Sequence, residues 1–343
     1  MRVSVDPAQP AAAFGGLLAT GLSEVTSDPS ALDHEGRWAV VITFEGELRC
    51  ARFEKWVPGQ VHEAASAWQG PEPSMYESSM TQVEYEAAVR EVKARIAAGD
   101  VYQANICRVL SARLPDPNAT DPAALAALLA RGNAAPFQGF VRLPDHGIAL
   151  ATASPELFLR RDRGVITSGP IKGTATRAED LQAKDRAENI MIVDLVRNDL
   201  AMVSVPGTVE VPDLLAVEDH PGVVHLVSRV QAGLRPGVGW GEILAAAFPP
   251  GSVSGAPKYT ALQLINRLEP VERGPYCGAV GWIDADAGTA ELAVGIRTFW
   301  IGDGVLHFGT GAGITWGSDP RAEWDETVLK ADRLLSVASG RWR

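Results

Sequence analysis

The residues best suited to chemistry lie between positions 168 and 199, where one lysine and several carboxylates occur in a largely apolar context. Lys172 lies in Pro-Ile-Lys-Gly-Thr, shortly after a proline that fixes its own backbone angle φ and just before a glycine that allows almost any φ. Its amine is therefore expected on a defined turn. Such an amine suits a positioned nucleophile or base. Asp185 and Glu188 are three residues apart on one helix face, and the apolar run 190–193 follows. A carboxylate beside so apolar a run needs a cation.

The ordinary interpretation of these residues is structural. Lys172 would be a solvated turn lysine and Glu188 the polar edge of an amphipathic helix. Glu323, Glu326 and Lys330 are separated by three and four residues, which also fits a solvated ion-pair stripe on one helix face. The residue types alone do not decide between these interpretations and a reactive site.

The wording of several segments favours the reactive site. They are ASPELF, PIKGT, DRAENIMIVDLVRND, HLVS, FPPGSVSGAPK, IRT and EWDET. Together they resemble the chorismate-utilising enzymes over about residues 80 to 338, a family that includes the anthranilate, aminodeoxychorismate, isochorismate and salicylate synthases. Lysine inside PIKGT is typical of the aminodeoxychorismate synthases, whereas anthranilate synthases usually carry alanine there. Threonine usually precedes GAPK in the family, and Ser254 replaces it here with the hydroxyl retained.

The resemblance implies a role for each candidate residue. Glu156 would face the ring carbon that loses its hydroxyl and act as a general acid, if burial raises its pKa. Lys172 would attack C2 while the C4 hydroxyl departs, and ammonia would then add at C4 and expel the lysine; a base role for the amine is left open. The implied substrate-binding residues are Arg297, Tyr276, His225, Ser254, Gly255, Ala256, Gly311, Ala312, Gly313 and Lys330.

Some of these residues also have ordinary explanations. A lone histidine on a half-buried strand, such as His225, is usually packed and hydrogen-bonded. Arg297 lies among apolar residues and could extend its head group to the surface, although its planar fork also suits a carboxylate. The glycines of 309–313 let backbone amides approach an anion closely, and the amides of Gly255 and Ala256 are expected at a helix start that favours a carboxylate.

The resemblance also implies a metal site between two helices. Glu188 and Glu326 would be its ligands, with Glu323 as a near or water-mediated ligand and Asp185 in support. Oxygen ligands without cysteine or histidine favour Mg²⁺, which keeps waters and awaits an anionic substrate. We therefore expect Mg²⁺ to hold one carboxylate of chorismate.

The expected function is amination of chorismate at C4 to 4-amino-4-deoxychorismate, on the route to 4-aminobenzoate and folate. The nearest alternatives are anthranilate synthase component I and isochorismate synthase, and a non-catalytic chorismate-binding subunit is the alternative of another class. The three cysteines lack the context of a glutaminase nucleophile. Ammonia is therefore expected from solution or from a separate glutamine amidotransferase subunit.

The elements that position these residues indicate an α+β fold, in which large antiparallel sheets pack together with helices outside and the site between them. Thr81 and Glu84 form a capping box and Gly99 ends that helix, whereas Asp319-Pro320 starts the last one. An antiparallel meander is expected over 276–309, its second strand interrupted by Arg297, with the glycine-rich 309–313 as a loop. We expect the N-terminal strand region 1–79, shortened relative to the family, and the catalytic region 80–338 to form one fused unit.

Composition excludes several other classes. A net charge of -11 argues against nucleic acid or an anionic membrane as the main partner. Three widely spaced cysteines give neither a disulfide framework nor a CxxC metal site, which fits a reducing cytoplasm. No apolar run reaches the ~18 residues needed to span a bilayer.

The glycine-rich segments match neither a Walker loop nor a dinucleotide fingerprint. A polar turn is expected at Pro221-Gly222, and the Asn118-Ala119-Thr120 sequon is expected to be ordinary loop sequence.

Overall fold

A computed structural model of the chain describes residues 6–59, 68–116, 121–175, 177–181, 183–220 and 223–341. The turn expected at 221–222 and the loop expected at 118–120 lie outside these residues. The helices are α1 (Gln82–Ala98), α2 (Pro122–Gly132), α3 (Ala183–Ala201), α4 (Trp240–Ala247), α5 (Lys258–Leu268) and α6 (Pro320–Ala338). In the described part of the chain, no helix is both long and apolar enough to cross a bilayer.

The sheet strands of the described residues pair antiparallel throughout. They are β1 (Ala11–Phe14), β2 (Leu17–Thr26), β3 (Arg37–Ile42), β4 (Leu48–Pro58), β5 (Glu77–Ser78), β6 (Gln103–Arg113), β7 (Phe137–Leu143), β8 (Ile148–Ser154), β9 (Leu157–Asp162), β10 (Val165–Gly169), β11 (Ile171–Ala175), β12 (Glu210–His220), β13 (Val223–Gly233), β14 (Gly255–Ala256), β15 (Ala279–Asp284), β16 (Thr289–Val294), β17 (Thr298–Gly302) and β18 (Val305–Ile314).

The pairings form one continuous ladder that joins two halves. One half runs β6, β18, β17, β8 and β7, and the other runs β3, β15, β16, β9, β10, β13 and β12. The N-terminal strands β1, β2 and β4 connect them, since β1 pairs with β7 and β4 pairs with β3. The N-terminal strands therefore lie in the middle of the ladder.

Hydrophobic clusters place the helices outside the strands. A cluster of residues from β1, β2, β3, β4, β7, β8 and β15 is shared by both halves of the ladder. Residues of α2 and α6 pack on one half, and residues of α3 and α4 pack on the other. The expected α+β architecture, with antiparallel sheet inside and helices outside, is confirmed.

Local signals set the helix boundaries as expected. Thr81 and Glu84 form a reciprocal capping box, and Gly99 ends α1 in the left-handed conformation with φ of 82°. Asp319 caps α6 by accepting from the N–H groups of Arg321 and Ala322. Each such cap stabilises its helix by about 1 kcal/mol, so these boundaries follow from the sequence.

Four expectations about the backbone need correction. The second meander strand, expected as one strand interrupted by Arg297, is two separate strands, β16 and β17, because residues 295–297 break the ladder. The glycine-rich segment 309–313, expected as a loop, belongs to β18 and pairs along β6. Gly255 and Ala256, expected at a helix start, form β14 instead, and α5 begins after Pro257. Tyr276, expected in a strand, lies in the turn before β15.

Candidate active site

Lys172 lies on β11, and its amine is directed into the protein. Its Nζ donates to the carbonyl oxygen of Ser252 at 2.9 Å. Gly173, the next residue, has φ of 81°, and a Cβ there would lie 2.8 Å from the Cβ of Asp185 on α3. The glycine of PIKGT therefore allows α3 to pack closely beside Lys172.

Glu156 follows β8 and is buried, with 4% of its surface exposed. Burial raises the pKa of Glu156 to about 7, although a hydrogen bond from the Ser252 hydroxyl, the ammonium of Lys172 and the N–H of Ile171 oppose the rise. The resemblance implied that Glu156 and Lys172 act on the same substrate ring, and the structure brings them into one electrostatic group. Near neutral pH this carboxyl group can supply a proton.

Carboxylates from two helices converge beside the lysine. Burial raises the pKa of Glu188 on α3, and the negative charges of Asp185 and Glu323 add to the rise against Lys172 and Lys184. Burial likewise raises the pKa of Glu323 on α6, to which Glu326 contributes. The negative charge of these carboxylates is thus only partly balanced by the nearby lysines.

Glu326 differs from its neighbours because it has a partner. Its Oε1 lies 2.7 Å from Nζ of Lys330, one helical turn further along α6. Burial opposes the ionisation of Glu326, but Lys330, with Lys184 and Lys172, outweighs it and leaves the pKa of Glu326 below its ordinary value. Lys330 is therefore placed as a counter-ion to an expected metal ligand.

The donor set fits a hard cation with few protein ligands. Within the described ranges, no three His, Cys, Asp or Glu side chains already form a metal-binding group. Glu188, Glu323 and Glu326 nonetheless present only carboxylate oxygens, and their mutual repulsion would be relieved by a divalent cation. Mg²⁺ characteristically takes one or two carboxylates and keeps several waters, so a complete protein cage is not needed.

The glycine-rich end of β18 lies against the lysine. Cys107 pairs with Gly311 but donates its N–H to Glu269 at 2.8 Å, and Lys330 donates to the Gly311 carbonyl at 3.1 Å. The backbone groups of Gly311, and by alternation those of Gly313, therefore point away from β6. Those of Ala312 point towards β6, and its side chain is buried in an apolar cluster. Of the three expected amides, only those of the two glycines remain directed at the site.

Sequence reasoning missed Gln103, the first residue of β6. Gln103 is 1% exposed, and neither polar atom of its side chain has a hydrogen-bond partner among the described residues. A Cβ at Gly313 would lie 2.3 Å from Nε2 of Gln103 and 3.4 Å from Nζ of Lys172. A buried amide without partners among the described residues, beside the amine, is a candidate for contact with a ligand. Its signal in the sequence was one polar residue opening an apolar strand.

Arg297 and Tyr276 lie at the backbone that supports Glu156. Arg297 has φ of 51°, which costs a non-glycine residue about 1–2 kcal/mol. Its carbonyl accepts from Ala153 at 3.0 Å, and burial lowers the pKa of its half-buried guanidinium. No carboxylate of the described residues pairs with that guanidinium. The Tyr276 ring is buried against Gly309, where a Cβ would lie 2.0 Å away.

The remaining candidates surround the lysine through backbone pairing. His225 is buried on β13 opposite Thr174, two residues beyond Lys172. The Ser254 hydroxyl donates to the carbonyl of Pro250 at 3.0 Å, so it closes its own turn. Gly255 and Ala256 pair with β6 at Ala104 and Gln103. They border the site through Gln103 rather than as a helix terminus.

The geometry and the sequence define the same class of protein: the chain belongs to the chorismate binding enzyme family, whose profile matches residues 29–336. It is 41% identical over 274 residues to aminodeoxychorismate synthase component 1 of Salmonella typhimurium, covering 76% of this chain and 59% of that protein. It is 39% identical over 280 residues to anthranilate synthase component 1 of Saccharolobus solfataricus, covering 78% of this chain and 65% of that protein.

A solved structure shows the same fold. Anthranilate synthase component I from Streptococcus pneumoniae TIGR4 superposes with a TM-score of 0.78 at 22% identity, covering 97% of this chain and 91% of that one. The chain spans about three fifths of the length of the Salmonella relative. The membership of the family that the motifs indicated is confirmed.

Proposed function

We propose that this protein aminates chorismate at C4 to give 4-amino-4-deoxychorismate, the precursor of 4-aminobenzoate in folate synthesis. The observation that carries the proposal is the inward-facing amine of Lys172 beside the buried Glu156. The similarity to a relative named aminodeoxychorismate synthase component 1 supports it.

In the proposed reaction, Glu156 protonates the departing C4 hydroxyl, which leaves as water. The Lys172 amine forms a bond to C2, the two conjugated ring double bonds each move one position towards C4, and the C4–O bond breaks. Ammonia then bonds to C4, both double bonds move back, the C2–N bond to lysine breaks, and the proton released by the new amine returns to Glu156. The Glu156 carboxyl group has a pKa of about 7, which suits it both to give a proton to the departing hydroxyl and to take one back after ammonia has added.

The substrate carboxylates require cationic partners. The guanidinium of Arg297, the amine of Lys330 and the glycine amides of β18 would hold one of them. Glu188 and Glu326, with Glu323 nearby, would hold Mg²⁺, which when bound supplies the charge that anchors the other carboxylate. The buried Gln103 amide would exclude water and contact the ring or the ammonia.

We propose a separate glutamine amidotransferase as the source of ammonia, since a component 1 implies a second component. Anthranilate synthesis is the second candidate, because an anthranilate synthase component 1 is 39% identical. Incubation of the pure protein with chorismate, Mg²⁺ and ammonium separates them. Fluorescent anthranilate would refute C4 amination, and a product that a lyase converts to 4-aminobenzoate would support it.

Replacing the lysine tests the central step. We expect Lys172→Ala to lower the amination rate by about a thousandfold or more while calorimetry still detects chorismate binding, because a nucleophile contributes mainly to the reaction barrier. Lys55→Ala, at an exposed lysine of β4, is the matched control and should aminate at the wild-type rate. Unchanged turnover by the Lys172 variant would refute its assigned role.

A further inference from the structure

Ser252 is the residue that contacts both reacting groups of the proposed mechanism. Its carbonyl oxygen accepts from Lys172 Nζ at 2.9 Å. Ser252 and Glu156 line the same small cavity, and the Ser252 side chain lowers the pKa of the Glu156 carboxyl group against the effect of burial. Ser252 is 6% exposed and belongs to a short 3-10 turn at 251–253, between α4 and β14. Lys172 on β11 and Glu156 in the connection between β8 and β9 thus both face one residue.

The turn that carries Ser252 is held by a buried ion pair. Arg273 donates to the Val253 carbonyl at 2.9 Å and pairs with Glu269 at 2.6 Å, both of them away from solvent. The Ser254 hydroxyl closes the same turn on the Pro250 carbonyl. The Ser252 carbonyl and hydroxyl are therefore presented in fixed directions, and the lysine and glutamate must adjust to them.

We propose that Ser252 is a positioning residue that holds the Lys172 amine with its carbonyl and the Glu156 carboxyl group with its hydroxyl, so that both face one substrate ring. This inference rests on the proposed function. Ser252 and the N–H of Ile171 both lower the pKa of Glu156, as donors to its carboxyl oxygens do. With both donors directed at these oxygens, the acidic proton is free to point at the departing hydroxyl.

The charged groups that face Glu156 come from two further elements. Lys172 approaches from β11, and Asp199 of α3 lines the same small cavity as Glu156 and Ser252. Asp199 is paired with Lys258 of α5 at 2.7 Å, which balances its charge. Burial raises the pKa of Asp199 to about 6 despite this lysine. Its titration must therefore be separated from that of Glu156.

Carbon-13 NMR of protein labelled at the glutamate carboxyl carbons makes this separation, since it does not detect aspartate. The Glu156 resonance is assigned by its loss in Glu156→Gln. We expect its midpoint near pH 7 in the wild type, and about one pH unit higher in Ser252→Ala, because the hydrogen bond lost favours the ionised carboxylate. Ser168→Ala, at a buried serine lining the same cavity, should leave the midpoint unchanged.

Two further variants separate the hydroxyl from packing. Ser252→Thr retains a donor and should keep the wild-type midpoint, whereas Ser252→Cys, similar in size but a weak donor, should behave as Ser252→Ala. Amination by Ser252→Ala should show a kcat lower by about a hundredfold with little change in KM for chorismate, since misplaced groups affect mainly the reaction step.

The two proposals fail in different ways. A midpoint that stays at the wild-type value in both Ser252→Ala and Ser252→Cys overturns the positioning role, even if the wild type aminates chorismate. Suppose that Ser252→Ala raises the Glu156 midpoint but the wild type does not aminate chorismate. The proposed function is then overturned, while the proposal that Ser252 holds Glu156 stands. A midpoint that moves equally in Ser168→Ala shows a general effect of the cavity and also overturns the positioning role.

Discussion

Replacement of Glu156 by glutamine should make the protein more stable at alkaline pH while removing its activity. The carboxyl group has an ordinary pKa of 4.5 and a pKa of about 7 in the folded protein, because burial disfavours its charge. At 1.36 kcal/mol per pH unit, the difference corresponds to about 3 kcal/mol of unfolding free energy. Glutamine has nearly the same shape, and its carbonyl oxygen can still accept from Ser252 and Ile171.

The sign follows from proton binding. The folded protein keeps the Glu156 proton up to about pH 7, whereas the unfolded chain releases it above pH 4.5, so the stabilisation is present at low pH. It is lost as the pH rises through 7. Glutamine does not titrate, so Glu156→Gln should gain about 3 kcal/mol relative to the wild type between pH 4.5 and pH 8.5.

Urea unfolding of both proteins at these two pH values measures this gain. Asp199, whose pKa is about 6, titrates in the same range, but it is present in both proteins and cancels in the difference. At constant free ammonia, the amination rate of the wild type should fall tenfold per pH unit above about pH 7. The rate of Glu156→Gln should be lower by about 10²–10⁴-fold and should not show this decline. A stability difference that is the same at both pH values would refute the burial argument.

Two other substitutions test the packing around the site. Gly313→Ala should raise KM for chorismate at least about tenfold, because the new Cβ would lie 2.3 Å from Nε2 of Gln103 and displace the Gln103 side chain. Gly317→Ala is the kinetic control, because the space around Gly317 is open. Glu269→Ala should lower the free energy of unfolding by about 3–5 kcal/mol, because it leaves Arg273 charged and buried. Denaturation in urea measures the second effect.

The control for the buried pair is an exposed pair with the same spacing. Arg321 and Asp325 are also four residues apart on a helix, but more than half of each side chain is exposed. Arg321→Ala should therefore change the unfolding free energy by less than about 0.5 kcal/mol. Equal losses from the two substitutions would contradict the role assigned to burial.

Much of the site could be predicted from local sequence. The PIKGT segment singled out Lys172 by its resemblance to the family and by its flanking proline and glycine. The structure places this glycine at a positive φ that lets α3 approach. The helix boundaries followed from capping by Thr81 and Asp319, which depends on residues within one turn. The role of magnesium, of the substrate-binding residues and of the amidotransferase stays a prediction.

Tertiary structure decided what depends on residues distant in the chain. The pKa of Glu156 follows from burial and from hydrogen bonds of a turn almost a hundred residues away, which no local pattern contains. Pairing with β6 drew 309–313 into a strand and turned the Ala312 amide away from the site, because a ladder fixes the direction of each backbone group. Gln103 is positioned by pairing with Ala256, and the turn of Ser252 by the hydrogen bond from Arg273 to the Val253 carbonyl. The sequence determined which reactive groups are present, and long-range packing determined which of them meet.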